Sequence, residues 1–254
     1  MTLDPTTTLS TSRPAPMARR ILAHGFYETR NVLRNGEQLL VSLILPLLVL
    51  VGLQRMHTVT DVVPDINVIV PGVLALAVMA SAFTGQGIAT GFERQYGVLA
   101  YLSTTPLGPT GLILGKAVAV LCVAVVQTLV LGIAGLALGW SPQPAGLALL
   151  GVIVVLGCCA FTALGLLIAG TVRAEATLAA TNVLWVLMGA AGGSVLPLNH
   201  DGAGVLLLLL PSASLGEALR AASLDGSFAV VPVLVLIIWA VAAVLAARRW
   251  FSWR

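Results

Sequence analysis

Long apolar runs separated by short polar breaks decide what this chain can fold into. A bilayer core of ~30 Å demands about 20 apolar residues per helix. Six such stretches can be laid along the sequence: about Gln38 to Leu53 (with Pro46 inside it), Ile66 to Gly91, Leu112 to Leu138, Ala145 to Gly170, Thr177 to Leu196 and Phe228 to Ala247. Charged residues make up 9% of the chain, against roughly 25% in a soluble domain, so a water-facing surface could not be covered. The expected fold class is an all-α polytopic membrane protein with six transmembrane helices.

Two features lie outside these spans. Val205 to Leu210 is too short to cross a bilayer and is cut off by Pro211, so it reads as a re-entrant or interfacial helix, followed by a second short helix from Ser214 to Ser223. At the amino end, residues 1–16 are rich in Thr, Ser and Pro and predict a disordered tail. They lack the pattern of a signal peptide. Arg19 to Arg34 then predicts an amphipathic helix: Ile21, Leu22, Gly25, Phe26, Thr29, Val32 and Leu33 fall within roughly 140° of arc at about 100° per residue. Arg19, Arg20, His24, Glu28, Arg30, Asn31 and Arg34 take the remainder. A basic face opposite an apolar one suits a helix lying in the membrane interface.

Orientation follows from the basic residues, which gather on the cytoplasmic side of membrane proteins. Arg13, Arg19, Arg20, Arg30, Arg34, Arg94, Lys116, Arg173, Arg248, Arg249 and Arg254 fall on one side of the six-span layout, Arg55 and Arg220 on the other. Both termini are therefore expected in the cytoplasm. The net charge of +3 is explained by this topology, and no nucleic-acid partner is expected.

Reactive constellations are missing. Cys122, Cys158 and Cys159 fall inside spans, and His24, His57 and His200 are scattered, so no metal-ligand set is spaced out. The segment GPTGLILGK imitates a phosphate-binding loop, but Thr110 stands in place of its first Gly and Ala117 in place of its Ser or Thr. Ser194, in GGSVL, lacks the trailing Gly of a nucleophile elbow. No acidic residue sits mid-span, which disfavours an ion-coupled carrier. Glycines four apart (Gly87 and Gly91, Gly111 and Gly115, Gly135 and Gly139, Gly189 and Gly193) suit close helix packing.

Polar residues inside spans are costly against lipid and so mark candidate sites. Ser81, Thr84, Gln86 and Thr90 lie in the second span, Gln127 and Thr128 in the third, and Thr177, Thr181, Asn182 and Trp185 in the fifth. Ser81, Thr84, Gln86, Thr181, Asn182 and Trp185 are the candidates for a substrate path; inter-helix hydrogen bonding is the alternative for each.

The segment from Phe92 to Lys116, FERQYGVLAYLSTTPLGPTGLILGK, places a compact polar element between two apolar runs, where another protein could push on it. Together with PGVLAL at Pro71 to Leu76, GGSVLPLN at Gly192 to Asn199 and LLPSASLGEALRAA at Leu209 to Ala222, it resembles a type-2 ATP-binding-cassette (ABC-2) exporter permease, the family of bacterial drug, polysaccharide and haem-related exporters. The resemblance runs from about Arg19 to Arg249.

That resemblance implies roles. A coupling helix at about residues 93–105 would dock on a separate ATPase, through Glu93, Arg94, Tyr96, Leu99 and Leu102 within the Tyr96 to Leu102 stretch. Arg173 and Glu175, in the loop from Thr171 to Ala176, would make a second contact. Residues 17–36 would be the connecting helix and 37–254 the transmembrane domain. Glu217 and Arg220 fit acidic and basic positions of the outer helices, and the first outer loop, Gln54 to Asp65, is too short for a sizeable domain. The chain would be a transport subunit, not an enzyme, binding no cofactor; ATP and magnesium would sit on two ATPase copies. A second permease chain, identical or different, would complete the path, in a bacterial cytoplasmic membrane. A drug or lipid-like substrate is expected, with polysaccharide or haem-related export, or a non-transporting scaffold, as alternatives.

Overall fold

The structure is a computed structural model describing residues 15–59, 64–190, 193–197 and 203–250, the side chains of Pro109, Ala203 and Val205 excepted. The expectations for residues 1–14, for Arg13, His200 and Arg254, for the middle of the first outer loop, and for Gly192, Leu198 and Asn199 lie outside the described residues. Among the described residues all regular structure is helical.

Helix α1 spans Met17–Arg34. Helix α2, Gly36–His57, and helix α3, Ile66–Gln95, each contain a π-helical stretch, at Leu40–Ile44 and Ala80–Gly85. A six-residue helix α4, Val98–Ser103, precedes α5 at Gly108–Ala137 and α6 at Pro144–Thr171. Then come α7 at Ala174–Ala190, short α8 at Ala203–Leu207, α9 at Pro211–Asp225 and α10 at Val230–Trp250. Five of these (α2, α3, α5, α6 and α10) are long and apolar enough to cross a membrane.

The expected fifth span differs. Helix α7 has 17 residues and is described as far as Ala190, and residues 193–196, where the sequence predicted its continuation to Leu196, are not helical. Gly193 adopts φ 68°, a left-handed conformation open to glycine at little cost, and residues 193–196 form bends. The Ser194 hydroxyl donates to the carbonyls of Met188 and Gly189, which the helix end leaves short of partners. Beyond it, Pro211 opens α9 rather than merely ending the apolar piece before it, and Gly226 closes it with φ 59°.

Helix α3 forms the axis of the fold. It is buried along nearly its whole length and packs on α2, α5, α6, α7 and α9, while α10 lies against α6 and α9. Close approach is bought by missing side chains: a Cβ on Gly72 would fall 2.4 Å from the Val195 carbonyl oxygen, and one on Gly165 2.6 Å from that of Phe83. Gln127 of α5 joins the two π-helical stretches, accepting from the Ser81 hydroxyl at 3.0 Å and donating to the Ser42 carbonyl at 2.7 Å. The widened turns of a π-helix leave backbone carbonyls available, and Gln127 takes one of them.

Helix α1 packs along the first half of α5, with Gly25, Thr29 and Val32 buried. A Cβ on Gly25 would meet Val118 at 2.6 Å, and one on Gly115 the His24 ring at 2.4 Å. The sequence placed His24 and Glu28 with the polar, solvent-facing arc; the structure turns both towards α5, leaving Leu22 and Phe26 exposed. One buried lysine explains the difference.

Candidate functional site

Lys116 stands in the third turn of α5 and is 1% exposed. An ammonium held away from water needs carboxylates around it, and two other helices supply them. Its Nζ lies 2.7 Å from Oε2 of Glu93, in the last turn of α3, and 3.2 Å from Oε1 of Glu28, on α1. Glu28 Oε1 is also 3.0 Å from His24 Nε2. Four side chains thus tie α1, α3 and α5 together at one end of the bundle. Sequence reasoning gave Lys116 only a topological role; the intervening chain hid its pairing with Glu28, 88 positions away.

Burial of the Glu28 carboxyl acts to raise its pKa, but the hydrogen bond with His24 and the charge of Lys116 outweigh it and hold the group below its ordinary 4.5. A depressed carboxyl contributes stability in full above its unfolded pKa and loses it as pH falls through the folded one. The thermal midpoint should therefore fall as pH drops below about 4.5, and Glu28→Gln should make that acid limb shallower. An identical limb in the variant, read by melting over pH 3 to 6 in roughly half-unit steps, would remove Glu28 from the network.

The α3 helix ends just past Glu93. Gly97, at φ 73°, turns the chain, and α4 runs across the end of the bundle. Glu93 and Arg94 therefore belong to the long helix, not to the short one that the sequence reading extended over residues 93–105. Of the residues expected to face a partner, Leu99 is fully buried and anchors α4, and Leu102 is half-buried. Tyr96, also among them, stands 74% exposed and stacks on Phe92, and Tyr101, within the same expected stretch, is 72% exposed. Tyr96 before α4 and Tyr101 on it thus form an exposed aromatic pair beside an anchored helix.

The end of α3 meets the α6–α7 turn. Arg94 donates to the Val172 carbonyl, and Gln95 Nε2 donates to Glu175 Oε1 at 2.9 Å. Arg94, Gln95, Arg173, Ala174 and Glu175 surround a cleft of about 260 Å³. Arg173 and Glu175, picked from sequence as a second contact, are thus adjacent to the first.

The polar residues of α3 and α7 also lie together. Thr181 Oγ1 donates to the Thr177 carbonyl, and Trp185 Nε1 reaches across to the Leu76 carbonyl at 3.2 Å. Thr84, Gln86 and Thr181 are buried and Asn182 is half-buried. Ser81 points the other way, to Gln127. At the opposite end of the bundle, Arg220 donates to Glu217 and to the carbonyls of Gly193 and Ser194.

A family profile described as ABC-2 family transporter protein matches residues 64–249, more than half of the chain. The chain belongs to the ABC-2 transporter family. The match begins just before α3 and leaves α1 and α2 outside it. No curated protein matches the chain. Membership makes this a membrane component of a transporter whose family generally works with an ABC ATPase.

Proposed function

We propose that this chain is the permease subunit of an ATP-driven exporter, with α4 as the element on which its ATPase pushes. The observation that carries this is the exposed pair Tyr96 and Tyr101, one just before and one on a short helix braced by Leu99 below, beside an α3 end joined to the α6–α7 turn through Arg94 and Gln95. Aromatic side chains standing on a rigid base are the usual anchors of a protein interface.

On this reading α7 is the fifth of six spans, both termini lie in the cytoplasm of a bacterial cell, and α1 rests at the membrane surface as the connecting helix. Two permease chains and two ATPases form the working unit. ATP-driven closure of the ATPases pushes α4, and the end of α3 and the α6–α7 turn follow as one body, because Arg94 and Gln95 already join those two. The motion passes along α3 to Thr84, Gln86, Thr181, Asn182 and Trp185, beside a path shared with the second permease. The surface that α7 leaves uncovered, with Val183, Val186 and Leu187, meets that second chain. The mostly uncharged lining favours an amphipathic or hydrophobic cargo, drug or lipid-like. The ligand shifts the cycle only as far as it prefers one state over the other.

Co-expression with the ABC ATPase encoded beside its gene tests the reading. A stable complex is expected, and Tyr96→Ala with Tyr101→Ala should weaken it by about 30-fold or more, the effect of losing at least one hot spot of roughly 2 kcal/mol. No complex with the wild-type chain, or full coupled ATPase activity in the double variant, would defeat it.

A further inference from the structure

A sizeable cavity lies away from the α3–α7 contact. It measures about 520 Å³ and is lined by α3, α5, α6 and α10, with no residue from α2 or α7. Its size lies within the ~300–1,000 Å³ range of ligand sites. Every lining helix contributes the end that approaches α4: Thr90 late in α3, Thr110 in the first turn of α5, Leu166 late in α6, and Arg248 at the close of α10.

We propose that this cavity binds an anionic phospholipid of the leaflet on the α4 side, one acyl chain inside and the phosphate at Arg248. Three observations carry it. Ile113, Leu114 and Val244, all exposed apolar residues, line the space, and such a rim suits contact with lipid better than with water. Along α5 its wall runs from Thr110 to Leu121, about 16 Å at 1.5 Å per residue, and on α6 it reaches as far in as Cys158. That is the depth of one leaflet of a ~30 Å hydrocarbon core, which suits an acyl chain and not a free anion.

The third observation is charge and polarity. Arg248 is exposed and has no ion pair among the described residues. Lys116, also in the wall, is already engaged by two carboxylates, so Arg248 supplies the unspent positive charge. Thr110 lies beside it in the first turn of a 30-residue helix, where amide N–H groups lack intrahelical partners and the dipole favours an anion. Deeper in, Thr90 and Thr162 belong to the wall, and their buried hydroxyls have no hydrogen-bond partner; a rotation about the side chain would let them donate to the ester oxygens of a glycerolipid. Basic pockets between spanning helices on the cytoplasmic side are where anionic headgroups settle. The inference needs the membrane and its sidedness, not the transport reading.

Native mass spectrometry of the purified chain, exchanged into phosphatidylglycerol, phosphatidylcholine or inorganic phosphate, tests it. Phosphatidylglycerol should be retained through stripping that removes phosphatidylcholine. Arg248→Gln should lower its retention by about fivefold, while Arg249→Gln, whose side chain is not in the wall, should not. Ala163→Trp should fill the cavity and abolish retention, with unchanged helicity by circular dichroism showing that the variant folds; Ala163→Leu serves if it does not. Equal retention of both lipids, an unaffected Arg248→Gln, or retention that survives filling would overturn the proposal. Protection by inorganic phosphate alone, equal to that by phosphatidylglycerol, would overturn the lipid as the source of the anion.

Discussion

Lys116→Met should lower stability by about 3–5 kcal/mol, the usual consequence of removing one partner of a buried ion pair. Methionine matches the length of the lysine stem, so packing is nearly kept and the loss is electrostatic. What remains is Glu28 and Glu93 facing each other in the space that Lys116 held, with His24 as the nearest group able to take a positive charge. The decisive measurement is the triple replacement Lys116→Met, Glu28→Gln and Glu93→Gln, read by denaturant titration in detergent. Removing all three charges together should recover most of the loss, because replacing a buried charged set by neutral groups is often close to neutral in energy. A triple variant no more stable than Lys116→Met alone would mean that the network contributes nothing beyond packing.

The same variants separate two consequences of the network. Glu93 closes α3 immediately before the turn into α4, and Glu28 belongs to α1. The restored but uncharged triple variant should fold and yet hold α1 less firmly against α5. Faster amide exchange over residues 17–34 than in the wild type is the expected sign. Exchange unchanged in α1 would show that Gly25 and Val32 packing fixes the helix without help from Lys116.

The difference between what could and could not be read from the sequence has a physical basis. Spans were legible because apolar length is a local property: α3, α5, α6 and α10 lie within a few residues of their expected bounds. The end of α7 was not, since apolar Val195 and Leu196 continue the pattern while Gly193 and the distant Arg220 break the helix. Residues 93–105 were legible as a polar interruption. Their division into a helix end and a separate α4 depended on Gly97, and the burial of Leu99 on contacts made elsewhere. Pairing across the fold left the weakest trace. Neither Lys116 with Glu28 nor Gln127 with Ser42 shows any local spacing, so a residue such as Lys116 reads as a flank until its partners are brought to it.

Arg220→Leu should produce the second large effect, at the other end of the bundle. The guanidinium is 4% exposed and makes three contacts, 2.7 Å to Glu217 Oε1, 2.8 Å to the Gly193 carbonyl and 3.0 Å to the Ser194 carbonyl. Those carbonyls belong to the bends after α7, which have no helix of their own to satisfy them, and the planar fork of arginine reaches both at once. Leucine leaves two carbonyls without their donor and Glu217 without its partner. Because Glu217 is 16% exposed and can gain some water, the cost belongs at the lower end for a broken buried pair, about 3 kcal/mol. Arg220→Lys should recover only part of it, since an ammonium is a point charge that cannot copy the fork. Exchange should quicken at residues 193–197 and through α9, while α1 and α4 keep their wild-type rates. If Arg220→Lys matches the wild type in melting temperature, charge alone suffices there. If exchange quickens at α4 as strongly as at α9, the two ends of the bundle are joined through α3 more tightly than these separate contacts imply.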